Sequence, residues 1–130
     1  MSKLSAVTFL VDEYDEAIAW FVKALGFSVI EDTLMGAGKR WVLVAPQNDG
    51  VRLLLAKADG QTQIEAIGKA AGGRVGFFLN TTNFAQDHAR MIAAGIEFKE
   101  LPRHEPYGIV AVFSDLYGNL WDLIEPKANV

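Results

Sequence analysis

The chain has 130 residues, 51% hydrophobic and 22% charged, with no cysteine and a formal net charge of −4. That length fits one domain with a core of its own. The lack of cysteine excludes disulfides, thiolate metal sites and cysteine nucleophiles, and the acidic balance with scattered cations excludes nucleic acid or an anionic membrane as partner. No apolar run reaches the roughly 20 residues of a membrane span. The N-terminal apolar stretch is closed by Asp12, Glu13, Asp15 and Glu16, unlike a signal peptide, so a cytoplasmic protein is expected.

Leu4 to Val11 is an apolar, β-branched run of strand length. The acidic residues after it favour a helix start, and Ala17, Ile18, Trp20, Phe21, Ala24 and Leu25 follow at helical spacing until Gly26 stops them. Strands are predicted over 27–30, 40–45 and 51–56, separated by turns at Met35–Gly38 and Asn48–Gly50. The glycine-rich stretch 59–73 is predicted to hold a short helix near Ile64–Ala71. The order then begins again. A strand is predicted over 75–79, and a helix capped by Asn83 or a neighbouring Thr runs through Phe84, His88, Met91 and Ile92 to Gly95. Next come a strand over 96–101, a loop over 102–106, a strand over 109–113, a turn at Asp115–Asn119 and a last strand over 120–124.

The two helix-stopping glycines lie 69 positions apart. The same offset sets Val7–Leu10 against Gly76–Leu79 and Gly26-Phe27 against Gly95-Ile96. Each half reads strand, helix, strand, strand, strand, which marks an internal repeat. The expected fold is α+β: two βαβββ modules in a single domain, their curved sheets facing each other around a cavity. Module one is placed at about 1–58, the linker at about 59–73 and module two at about 74–130.

Three stretches, in order, resemble the vicinal oxygen chelate superfamily of glyoxalase I, bleomycin-resistance proteins and extradiol dioxygenases. They are Asp15–Phe21 running into Leu25-Gly26-Phe27, then Ala94–Phe98, then Phe113–Leu123 with its Asp115–Asn119 turn. The resemblance implies the glyoxalase-like fold and, in the family's enzymes, a divalent metal held by one His or Glu from the first and last strand of each half. Carried over, those positions fall at Ser5 or Ala6, within Arg52–Leu55, at Arg74 or Val75, and at Asp122. Only Asp122 can ligate; Arg74 is a permanent cation. No metal residues and no cofactor are therefore expected, and a divalent metal would need a relocated site. His88, read as lying on the solvent side of its helix, and the adjacent His104 and Glu105 make a poor chelate.

Asp122, His104 and Arg74 are the catalytic candidates. Arg74 and Asp122 on neighbouring strands would convert the lost metal site into an ion pair, offering a cation to an anionic ligand and a carboxylate as general base. His104 lies in the polar segment Pro102–Gly108 and is its near-neutral acid–base group. Trp41, Phe77, Phe113 and Trp121, with Arg74 and Tyr107, are the candidate ligand-binding residues. Two readings remain open. One is a bleomycin-resistance-type protein that binds or sequesters an apolar or aromatic small molecule. The other is a lyase, isomerase or dioxygenase of the superfamily, metal-free or with a relocated metal. Lactoylglutathione lyase activity is not expected, and a homodimer is.

Overall fold

A computed structural model describes residues 1–128. The chain divides into two compact units, Met1–Gly68 and Lys69–Val130, so the boundary falls inside the stretch predicted as linker. The end of module two, residues 129–130, lies outside the described range.

The N-terminal unit runs β1 (Ala6–Val11), α1 (Tyr14–Lys23), β2 (Ser28–Gly36), β3 (Lys39–Ala45), β4 (Arg52–Lys57) and α2 (Gln61–Ala66). Its sheet has the order β1-β4-β3-β2, with β1 parallel to β4 and the other pairs antiparallel. Helix α1 forms because Tyr14, Ala17 and Phe21 repeat along one stripe and are buried, while Asp15 and Glu16 sit at its positive end and Lys23 at its negative end. Phe21 packs edge-on against Phe9 of β1 at 5.2 Å, so α1 covers the face carrying Phe9, Val11, Val42, Val44 and Leu55. Gly26, at φ 71°, ends the helix and lets the Phe27 N–H turn back to the Phe21 carbonyl. Helix α2 lies earlier than predicted: Ile67 leaves helical geometry and Gly68 at φ 79° turns the chain away.

The C-terminal unit repeats the plan with β5 (Val75–Asn80), α3 (Phe84–Ala93), β6 (Arg103–Glu105), β7 (Gly108–Ser114) and β8 (Leu120–Pro126), in the sheet order β5-β8-β7-β6. Asn83 caps α3 by accepting the Gln86 N–H at 3.1 Å. Gly95, at φ 91°, stops it, and the Ile96 N–H returns to the Met91 carbonyl. Both units are therefore βαβββ modules built on mixed sheets, as the repeat predicts.

One stretch departs from expectation. The predicted strand 96–101 is reduced to a single bridge between Phe98 and Phe113, and the predicted loop 102–106 contains β6. The chain does track β7: the Ser114 N–H reaches the Glu97 carbonyl and the Lys99 N–H the Val112 carbonyl. The ladder then breaks because the Glu100 carboxylate, in place of a backbone carbonyl, accepts the Val112 N–H at 3.0 Å. Pro102 has no N–H to offer, and pairing resumes at Arg103 with Val110. Among the described residues no helix is long and apolar enough to cross a membrane.

Candidate functional site

Alternation along β3 sends its side chains to two faces. Arg40 points toward α1. It forms a two-pronged pair with Asp32 at 3.1 and 2.7 Å, reaches Asp15 at 2.8 Å, and lies 5.1 Å from the centre of the Tyr14 ring. These hydrogen bonds hold the Asp32 carboxyl below its ordinary range. Trp41 takes the other face and stays 41% exposed. Beside it lies a pocket of about 700 Å³ whose walls include Tyr14, Lys39, Arg40, Trp41, Leu54 and Asp59 and whose rim is the Gly36-Ala37-Gly38 turn. That volume is within the usual range for small-molecule sites, about 300–1,000 Å³.

In the C-terminal unit, Asp122 lies between Phe78 on β5 and Val112 on β7, on the face away from α3. Its Oδ1 is buried and has no hydrogen-bond partner. Burial pushes the carboxyl up from its ordinary range; Arg103 pulls it down and Glu100 pushes it further up. Arg103 shares this face through its pairing with Val110, and it holds Glu100 at 2.9 Å and Glu105 at 2.9 Å, with the Tyr107 side chain also bonded to it.

The cation beside Asp122 is thus Arg103, not Arg74. Arg74 is exposed just ahead of β5 and makes no ion pair with Asp122, because β5 aligns Phe78 rather than Arg74 with that residue. His104 is exposed and alternates to the face opposite Arg103 and Asp122, so the three catalytic candidates do not converge. Phe113 and Trp121 are buried in the core of this unit, with Phe77 half-buried beside them. Trp121 stacks on Phe77 at 4.7 Å and on Phe113 at 5.7 Å, and its indole N–H donates to Asp115. Phe98 links Phe113 to His88, which also stacks on Phe84 of α3 at 5.2 Å. His88 is therefore half-buried between aromatic rings, not on the solvent side. Tyr107 remains 55% exposed. Arg103 and Glu100 were missed because the strand was ended at Leu101; placing it over 103–105 would have put Arg103 and Glu105 on one face.

The family's metal positions can be tested against this geometry. Ala6, Arg52 and Leu54 lie on the face away from α1, Arg74 is exposed, and only Asp122 offers a carboxylate. Among the described residues no group of three His, Asp or Glu side chains is arranged to hold a metal ion. One carboxylate with three non-ligands does not fit a divalent ion.

Comparison with known proteins agrees with this architecture. A profile of the Glyoxalase/Bleomycin resistance protein/Dioxygenase superfamily matches residues 3–123. An uncharacterized protein of Shewanella frigidimarina (strain NCIMB 400) is 50% identical over 92% of this chain and 90% of its own length. The crystal structure of UcmS2 superposes with a TM-score of 0.82 at 32% identity, covering 96% of this chain and 98% of that one. TnmS3, an antibiotic-binding protein from Streptomyces sp. CB03234, superposes with a TM-score of 0.80 at 28% identity, covering 98% of each chain. The chain belongs to the Glyoxalase/Bleomycin resistance protein/Dioxygenase superfamily.

Proposed function

We propose that this chain is a metal-independent binding protein that sequesters a small apolar or aromatic molecule, acting in the cytoplasm as a homodimer. The observation that carries the reading is the pocket of about 700 Å³ beside the half-exposed Trp41. An aromatic wall with a few polar groups is how small-molecule sites are usually built. The antibiotic-binding description of TnmS3 supports the same class of ligand. Calorimetric titration with bleomycin and with flat aromatic probes tests it. Saturable binding that is indifferent to chelator and lost in Trp41→Ala is the expected result. Absence of saturable binding across the panel sinks the reading.

A second reading rests on Asp122. A buried carboxyl oxygen without a partner, at the family's closing acidic position, is suited to exchange a proton with a substrate. This reading makes the chain a lyase, isomerase or dioxygenase of the superfamily. Metal-dependent turnover of a hemithioacetal would favour it and defeat the binding reading.

A further inference from the structure

Charge on the walls of the N-terminal pocket narrows what it can hold. Of the three cations there, Arg40 is engaged by Asp15 and Asp32, and Lys57 pairs with Glu13 at 3.2 Å. Lys39 is exposed and, among the described residues, has no ion-pair partner. Its position is fixed relative to Trp41. Both belong to β3, two residues apart, so their side chains leave the same face about 6.5–7 Å from each other. A ring laid on the indole therefore brings a substituent on its edge within reach of the flexible Lys39 ammonium. The two glycines of the β2–β3 turn, at φ 94° and 78°, have no side chains to crowd this rim.

We infer that the pocket selects flat aromatic ligands that carry an anionic group, with Trp41 taking the ring and Lys39 the anion. This rests on the binding reading above and names its ligand class. Lys39 is the specificity-determining residue, whereas Arg40 is a fixed part of the wall. Asp59 is the opposing charge on the lining, and it sits on the connection between β4 and α2.

The test uses three probes of one shape: 2-naphthoate, 2-naphthamide and 2-naphthylmethylammonium, titrated by calorimetry into the full chain and into Lys39→Gln and Lys39→Arg. The naphthoate is expected to bind about tenfold more tightly than the amide, with the ammonium weakest. Lys39→Gln should erase that preference, so that naphthoate and amide bind alike, Lys39→Arg should keep it, and added salt should reduce it. Equal binding of naphthoate and amide, or tightest binding of the ammonium, overturns the inference while leaving the aromatic-binding reading intact. If none of the probes binds saturably, or if Trp41→Ala leaves all three unchanged, the binding reading itself fails and takes the inference with it.

Discussion

Two aspartates of the C-terminal unit show what partners do to a buried carboxylate. Asp115, only 6% exposed, accepts the Tyr117 and Asn119 N–H groups on Oδ1 and the Asn119 amide and Trp121 indole on Oδ2. Asn119 passes the network on by accepting the Ala70 N–H. Asp122 has a buried oxygen with nothing to accept. Replacing each by asparagine should therefore change stability in opposite directions. Asp115→Asn sets an amide donor against donors and should cost about 2 kcal/mol. Asp122→Asn removes a charge that burial disfavours and should stabilise at pH 7, by less than about 1 kcal/mol because solvent and Arg103 screen it. The pH dependence has a definite sign. The folded carboxyl of Asp122 titrates above its unfolded value, so the folded chain holds more protons across that window, and stability falls as pH rises from about 4. The gain from Asp122→Asn should thus be present at pH 7 and absent below about pH 4. Urea melts at the two pH values read this directly, and an equal gain at both would contradict the assignment.

At the scale of elements, a side chain decides where an edge strand begins. The Glu100 carboxylate replaces a carbonyl opposite Val112 and at the same time holds Arg103, which starts β6. Glu100→Ala should expose the Val112 N–H to exchange and cost about 1–2 kcal/mol, with Glu100→Gln recovering part of the loss. Amide hydrogen exchange at Val112 is the measurement, and unchanged protection there would show that the carboxylate is incidental. The same feature explains what could be read from the chain alone. Helices α1 and α3, their glycine stops and the repeat were legible because each rests on local periodicity. Strand 96–101 was misplaced because nothing in a one-dimensional pattern says that a carboxylate takes over a backbone role. Trp41, an expected ligand-binding residue, lies on the wall of the N-terminal pocket. Alternation alone cannot say which face of a sheet a helix will cover, so the burial of Phe113 and Trp121 is not legible in the strand pattern. Arg40 was illegible for another reason: its partners Tyr14 and Asp15 are 26 and 25 positions away in sequence.

At the scale of the whole chain, each unit is about the size at which a single core becomes marginal. A domain of roughly 60 residues buries only about 60% of its unfolded surface, and no disulfide is available to compensate. Neither unit is expected to persist alone, so the two should unfold in one cooperative transition as a single domain. Tryptophan supplies separate probes, since Trp20 and Trp41 report on the N-terminal unit and Trp121 on the C-terminal one. Phenylalanine replacement of Trp121 in one variant, and of Trp20 and Trp41 together in another, isolates each signal. Within each variant the urea midpoint read by tryptophan should coincide with that read by far-ultraviolet circular dichroism. Ligand adds a second condition for the variant that keeps Trp41. At a free concentration one hundred times its Kd, a ligand bound only to the folded chain adds about 2.7 kcal/mol. Because the pocket is built from N-terminal residues, independent units would confine that gain to the Trp41 signal. Coupled units would carry it in full to a C-terminal reporter, such as hydrogen exchange at Leu123 in the core of β8. Protection that rises at Leu55 and stays fixed at Leu123 would show two independently folding modules.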